Sequence, residues 1–443
     1  MKLSHPVPST AQLAWQRTET NAFFHFSPNT FTGLEWGDGS ESPAIFNPTQ
    51  LDCRQWARAA KQGGLRIAIL TAKHHDGFCL WPTKTTEHSV KSSPWKNGKG
   101  DVVREFVDAC RCEGLMVGLY LSPWDRHEQC YGDSPRYNDF YCAQLEELLT
   151  NYGELHEVWF DGACVKGPNG EMQEYDWERY FALVKQLQPN AVTFGDGGTD
   201  VRWVGNELGI AGETSWSTID PDFIKYPGDS GIAQAVGAVA TVDKEQRLRE
   251  GDAPDACALR VWRAVECDVS IRPGWFYHPE EDDQVRSPEG LIQLYFESVG
   301  RNGVLLLNLP ITPEGLLHET DAKNLEAYNI EKKRIFTDDL VKSVVASETT
   351  EELSPEAPWI VNVSLLGKRA VTVLCLQEAV EHGQRIAEHH VEVNEGGEWR
   401  TLVRGTTVGY KRLYRFDPIE CAELRVVVTQ LFGAPQFSDI GAF

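Results

Sequence analysis

Between Ala22 and Gly195 the chain repeats one pattern: a short apolar run, a polar turn, then a longer stretch with apolar residues at helical spacing. A helix-length segment between two short apolar runs is the mark of a strand–helix–strand crossover, and crossovers of this kind build parallel sheets. The apolar runs are 22–27, 65–72, 115–122, 156–161 and 191–195, and the helical stretches are 51–63, 101–113, 138–152 and 175–187. Repeated this often, the pattern predicts an α/β fold with a (β/α)8-like TIM barrel, whose chemistry gathers at the C-terminal ends of the strands. His25, His74, His75, Tyr120 and Asp161 all fall at such ends.

The run His156-Glu157-Val158-Trp159-Phe160-Asp161-Gly162 carries the most information. With the period of two of a strand, Val158 and Phe160 share one face and Trp159 and Asp161 the other. The first face suits packing under helices. The second brings an indole and a carboxylate to one cavity, and Gly162 allows a sharp turn behind them. The next helical pattern begins near Tyr175, too far along for Asp161 to cap it.

Residues 199–252 are loose in pattern and rich in Gly and Asp, which predicts long loops over the barrel mouth. A strand over 261–271, a helix over 288–301, a strand over 304–309 and a helix over 322–333 complete a catalytic domain spanning 1–336. Beyond it, short alternating runs at 359–365, 370–376, 389–393, 413–416 and 424–428 predict a β-sandwich over 337–443.

A net charge of −23 with no basic patch excludes nucleic acid and anionic membranes as partners. Met1–Ala14 contains no apolar run, so neither a signal peptide nor a spanning helix is expected there, and a cytoplasmic location follows. The eleven cysteines, mostly in apolar or helical stretches and without a CxxC pair, read as reduced thiols and not as a disulfide or zinc framework. His74 and His75 are adjacent on a strand end and point apart, with no further ligand at HExxH spacing, so no metal is expected. There is no GxSxG elbow and no phosphate loop, so neither a serine nucleophile nor a nucleotide cofactor is expected. What remains is a neutral ligand held by His, Trp and Tyr beside carboxylates. Sugars fit, since aromatic rings stack on their apolar faces and polar side chains bind their hydroxyls. Glycoside hydrolysis needs two carboxyl groups. Asp161 is one; Glu207 and Glu213, in the loops after 199, are the candidates for the other.

In chain order, Phe24-His25-Phe26, Glu35-Trp36, Lys73-His74-His75-Asp76-Gly77-Phe78 with Leu80-Trp81, Gly118-Leu119-Tyr120 and Trp159-Phe160-Asp161-Gly162 resemble motifs of the α-L-fucosidases of glycoside hydrolase family 29. The resemblance implies that Asp161 is the nucleophile of a retaining mechanism. It also implies that His25, Glu35, Trp36, His74, His75, Tyr120 and Trp159 line a fucose pocket. Trp203-Val204-Gly205-Asn206-Glu207 and the stretch from Glu266 to Trp275 resemble the branch of that family selective for α-1,3/1,4-linked fucose on Lewis-type glycans. In that alignment Glu207 is the acid/base, with Glu213 in reserve. Trp275, with Phe78, supplies apolar packing for the 5-methyl group of fucose.

The expected function is therefore a retaining exo-α-L-fucosidase acting on fucosylated oligosaccharides without cofactor or metal. Two alternatives stay open at this level: a glycan-binding protein without turnover, and a barrel glycosidase of another sugar such as α-galactose. The sequence does not fix an oligomeric partner.

Overall fold

The computed structural model describes residues 6–195, 197–219, 221, 225–228, 260–347 and 358–443. Eight parallel strands close into a barrel. Six come first: β1 (Thr20–Phe24), β2 (Ile67–Lys73), β3 (Met116–Leu121), β4 (Glu157–Trp159), β5 (Val192–Gly195) and β6 (Val201–Trp203). A small antiparallel ribbon, β7 (Thr218–Ile219) and β8 (Val261–Trp262), interrupts the series before β9 (Val265–Ser270) and β10 (Gly303–Asn308). Each barrel strand pairs with its successor in the series and β10 pairs with β1, which closes the ring.

The strand residues divide by parity, as the barrel requires. Ala22, Phe24, Ala68, Leu70, Val117, Leu119 and Val158 point outward and join one large apolar layer with the surrounding helices. Phe23, Ile69, Tyr120, Trp159, Phe194 and Leu306 point inward and fill the barrel. The helices over Cys53–Gln62, Val102–Glu113, Ser134–Asn151 and Trp177–Leu187 supply the outer side of the first layer. Asp52, Asp101 and Asp176 cap three of them by accepting from backbone N–H groups in the first turn. The short helix Thr10–Gln16, entered through a Ser9–Gln12 capping box, brings Trp15 into the interior cluster.

Two expectations for the barrel change. The sixth strand, Val201–Trp203, lies inside the region expected to be loop. It has three residues with Arg202 in the middle, too short for an apolar run or for an alternation that stands out from loop sequence. The run 261–271 is two strands: Val261–Trp262 pairs with Thr218–Ile219, and Val265–Ser270 enters the barrel. Much of the expected mouth loop, 229–252, lies outside the described residues.

The C-terminal domain is an antiparallel sheet of β11 (Val341–Ala346), β12 (Trp359–Glu378), β13 (Ile386–Glu395), β14 (Glu398–Gly405), β15 (Arg412–Leu431) and β16 (Phe437–Ala442). Its order is β11-β12-β15-β13-β14, with β16 on β12. Runs expected as separate strands are continuous here. Residues 359–365 and 370–376 are the two halves of β12, and 413–416 and 424–428 both lie in β15, joined across register shifts between Ser364 and Arg369 and between Val371 and Val373. Val361 and Val363 from the first half of β12 share one apolar cluster with Leu374 and Leu376 from the second, so the sheet folds over its own core. Val373, Cys375 and Leu413 join the barrel's outer layer instead, which seats this domain on the barrel.

Inside the barrel the indole of Trp15 donates to Glu157 Oε2 at 2.9 Å, and the indole of Trp159 to Glu266 Oε2 at 3.1 Å. The carboxyl groups of Glu157 and Glu266 are both buried there and interact with each other, which favours the protonated form. Burial pushes both pKa values up, Glu266 further because Glu157 repels it. The folded state thus keeps protons that the unfolded chain releases above the ordinary carboxylate range. This contribution to stability is complete at acid pH and declines as pH rises. Glu157→Gln keeps an acceptor for Trp15 and adds a donor for Glu266. It is expected to reduce the fall in Tm between about pH 5 and pH 8 seen by calorimetry; an undiminished fall would place the pH dependence elsewhere.

Candidate active site

Parity on β4 continues past its end. Glu157, Trp159 and Asp161 share the inward side and climb from the barrel interior to its C-terminal mouth. Asp161 Oδ1 accepts from the Ala163 N–H at 2.7 Å, and Oδ2 accepts from the Tyr120 hydroxyl at 3.1 Å. Trp159 stacks on Phe194 of β5, centroids 4.0 Å apart, and this fixes the wall below Asp161. A Cβ on Gly162 would come within 2.7 Å of the Gly228 backbone nitrogen, so glycine is required for the close approach of 227–228 over the mouth.

Three histidines stand opposite. His25 extends β1, and its Nδ1 lies 2.7 Å from Asn308 Oδ1 on β10. The Asn308 amide nitrogen donates to Ser270 Oγ and to the Trp275 carbonyl, which leaves its oxygen to accept from His25 Nδ1–H. His75 Nδ1 lies 2.7 Å from Ser122 Oγ, and that hydroxyl donates its own proton to the Trp124 carbonyl. His75 must therefore donate through Nδ1 as well. Both rings keep a free Nε2 acceptor; that of His75 is 3.8 Å from Asp161 Oδ2. Burial drives all three histidines toward the neutral form, His25 down to about 3 and His74 well below the usual range. His75 is lowered too, although Asp161 opposes the shift. Uncharged imidazoles with fixed acceptors suit sugar hydroxyl groups.

Glu207 follows β6 at the cavity mouth, where the Trp275 indole donates to its Oε2 at 3.3 Å. The side chain reaches solvent at its outer edge. The surrounding walls nevertheless strip water from the carboxyl and raise its pKa, with Asp161 and Glu35 adding like-charge repulsion. Asp268, inward on β9, accepts from the Trp203 indole at 2.7 Å. Burial, then repulsion from Glu207 and Asp161, pushes its pKa well up.

These groups enclose a cavity of 330 Å³, at the small end of the ligand-pocket range of about 300–1,000 Å³. His25, Trp36, His74, His75, Tyr120, Trp159, Asp161, Glu207 and Trp275 all line it. Glu35 does not. It stands behind Trp275, accepting from the backbone N–H groups of Trp275 and Phe276 and lying 2.7 Å from His278 Nε2. Glu213 is also outside the cavity, bound to Arg301 and Arg412. Phe78 is buried against Phe46 and His88, beyond reach of a ligand. It is part of the core because the turn after His75 folds it under the mouth.

Sequence reasoning missed Trp124, Trp203 and Asp268, all of which line the cavity, and Asn308 behind His25. Trp124 sits two residues past a predicted strand, so the strand-end rule would have found it. Asp268 shares inward parity with Glu266 on β9, a signal that the run 261–271 already carried. Among the described residues no group of three His, Cys, Asp or Glu is arranged to hold a metal ion, and no helix is long and apolar enough to cross a membrane. Nitrogen-15 NMR of the imidazoles should show His25 neutral at about pH 6 as its Nδ1–H tautomer. In Asn308→Leu that tautomer preference should be lost; its persistence would mean another group orients the ring.

The family model for α-L-fucosidase matches residues 10–215 and 230–329. Alpha-L-fucosidase 1 of Arabidopsis thaliana is 43% identical over 467 aligned positions, covering 99% of this chain and 87% of the plant protein. Among solved structures, a glycoside hydrolase family 29 member from a rumen bacterium is 39% identical, with a TM-score of 0.87 over 100% of this chain and 78% of its own. A family 29 fucosidase of Ruminococcus gnavus, solved in complex with fucose, is 32% identical with a TM-score of 0.83, covering 99% of this chain and 95% of its own. Together with a barrel whose mouth sets Asp161 and Glu207 among neutral histidines and indoles, these matches place the chain in the α-L-fucosidase family, glycoside hydrolase family 29.

Proposed function

We propose that the protein is a retaining exo-α-L-fucosidase that releases α-1,3/1,4-linked fucose from branched, Lewis-type glycans. The observation that carries the mechanism is the contrast between two carboxyl groups at one cavity. Asp161 is steadied by the Tyr120 hydroxyl and the Ala163 N–H at the cavity wall. Glu207, at the solvent edge, has its pKa raised by the desolvating cavity walls and by the Asp161 charge. In this mechanism Asp161 attacks the anomeric carbon, while Glu207 passes its proton to the departing glycosidic oxygen. Glu207 then takes a proton from water, which displaces Asp161 and restores both groups. The His25 and His75 Nε2 acceptors bind fucose hydroxyl groups, and the Trp275 face takes the 5-methyl group.

Two stretches support the linkage preference, Trp203–Glu207 and Glu266–Trp275. Both resemble the 1,3/1,4-selective branch, and both put residues on the cavity wall: Trp203, Glu207, Asp268 and Trp275. A galactose on the same branched glycan would press against this rim and help to settle Glu207, so it would raise turnover as well as affinity. We place the protein in a reducing, cytoplasmic compartment, on the support of ten described cysteines that are all free thiols; fractionation of source cells tests this.

Asp161→Asn is expected to lower turnover by on the order of 10³-fold or more while fucose still binds, as calorimetric titration would show. Near-normal turnover in the folded variant would remove Asp161 from the nucleophile's role. Glu207→Ala should slow oligosaccharides far more than activated aryl fucosides and should abolish the basic limb of the pH–rate profile. Azide should restore part of its rate and yield a fucosyl azide of retained configuration. For the linkage, kcat/KM on a Lewis trisaccharide should exceed that on fucosyl-α-1,3-N-acetylglucosamine lacking galactose, and on an α-1,2 disaccharide. Equal values would leave the activity in place and withdraw the branch preference.

A further inference from the structure

Glu207 projects from the segment that leaves β6, and among the described residues its carboxyl accepts only a long hydrogen bond, 3.3 Å from the Trp275 indole. Its position therefore depends on the backbone that carries it. On the upstream side the barrel holds that backbone, as the Val204 N–H donates to the Glu266 carbonyl. The segment then closes on itself. Asn206 donates to the Ile210 carbonyl and accepts from the Leu208 N–H, both at 3.0 Å.

On the downstream side the barrel holds Ala211, whose N–H donates to the Glu297 carbonyl and whose carbonyl accepts from Arg301, and beyond it much of the hold comes from the C-terminal sheet domain. Arg412, the first residue of β15, is buried and donates to the Glu213 carbonyl and to Glu213 Oε2, each at 2.7 Å. Arg301 of the barrel grips the other carboxylate oxygen of Glu213 at 2.6 Å. The buried Thr407 hydroxyl accepts from the Ser215 N–H and donates to the Ser215 carbonyl, both at 3.1 Å. The buried Gln384 amide donates to the same carbonyl at 3.1 Å and accepts from the Ser217 N–H at 2.7 Å. Glu213 is itself largely exposed, so its ion pairs are screened and worth little alone. The buried hydrogen bonds from the Ser215 and Ser217 N–H groups form the firmer part, because each leaves an unpaired backbone donor if lost, whereas the Ser215 carbonyl is shared by Thr407, Gln384 and Asn302.

From this we infer that the C-terminal domain is a brace for catalysis: Thr407, Gln384 and Arg412 position the 204–217 segment and, through it, the carboxyl of Glu207. This rests on the acid/base role proposed for Glu207. None of the three bracing residues lines the cavity, so they act as positioning residues. Glu213 belongs to the same device, as the anchor point of the segment.

The test separates proton delivery from folding and from binding. Thr407→Val removes one hydroxyl at nearly constant volume, Arg412→Met removes the guanidinium, and Thr407→Ser keeps the hydroxyl. Each is assayed on fucosyl-α-1,3-N-acetylglucosamine, whose leaving group needs a proton, and on 2-chloro-4-nitrophenyl α-L-fucoside, whose leaving group does not. Near-UV circular dichroism and Tm report the fold. Thr407→Val and Arg412→Met are expected to lose about tenfold or more in kcat on the disaccharide and less than about threefold on the aryl fucoside. The basic limb of their pH–rate profiles should move as well, and Thr407→Ser should match the parent. Losses that are equal on both substrates, or absent on both, would overturn the brace. Glu207→Ala, run beside them, keeps the two ideas apart. If it lacks the split between substrates, the acid/base assignment fails; if it shows the split and the brace variants do not, only the brace fails. Should Arg412→Met not fold, the Val and Ser variants at 407 decide the question between them.

Discussion

A carboxyl group buried away from any cation must keep its proton or find strong donors, and this barrel carries several along its axis. Glu157 and Glu266 sit buried in the interior and Asp268 higher, with Glu207 above them at the mouth, where its side chain reaches solvent. Each accepts from one indole: Trp15 for Glu157, Trp159 for Glu266, Trp203 for Asp268 and Trp275 for Glu207. An indole N–H supplies a hydrogen bond without a charge and brings a large apolar body with it. The barrel interior can thus be filled and its acids satisfied by the same residues. A lysine or arginine in those places would draw the acids into their ionised form.

This arrangement bears directly on chemistry. At the mouth, Asp161 and Glu35 both oppose ionisation at Glu207, while Asp268 is itself pushed toward its protonated form. The histidines follow the same logic. Burial neutralises them, and Asn308 and Ser122 fix which nitrogen carries the proton. A site poor in formal charge and rich in oriented donors and acceptors is matched to an uncharged sugar that develops positive charge only as its glycosidic bond breaks.

The two domains divide the labour in a way their separate cores would not suggest. Val373, Cys375 and Leu413 extend the barrel's outer layer, while residues 384, 407 and 412 reach the segment behind Glu207. Glu19, held in a positive-φ conformation, accepts from Tyr295 of the barrel and Lys411 of the sheet domain, pinning the same interface from the other side. An interface with polar contacts at both ends resists sliding, and that is what a loop carrying the proposed acid/base needs.

The sequence by itself determined the barrel, because strand parity and helix period are local properties written residue by residue. It also determined the facing of Trp159 and Asp161 and the strand-end placement of His25, His74, His75 and Tyr120. Local pattern failed at Val201–Trp203, where three residues with a central arginine become a strand only because β5 and β9 stand on either side to pair with them. It also split β12 and β15 at bulges that long-range pairing bridges. The fate of the carboxylates was decided by the tertiary structure alone. Glu207 and Glu213 lie six positions apart in similar surroundings of sequence, yet one reaches the cavity and the other is taken by Arg301 and Arg412. Glu35 turns behind Trp275 for the same reason. Whether a carboxyl meets a ligand, an arginine or a backbone amide depends on residues hundreds of positions away, and only the closed barrel with its second domain brings those partners within reach.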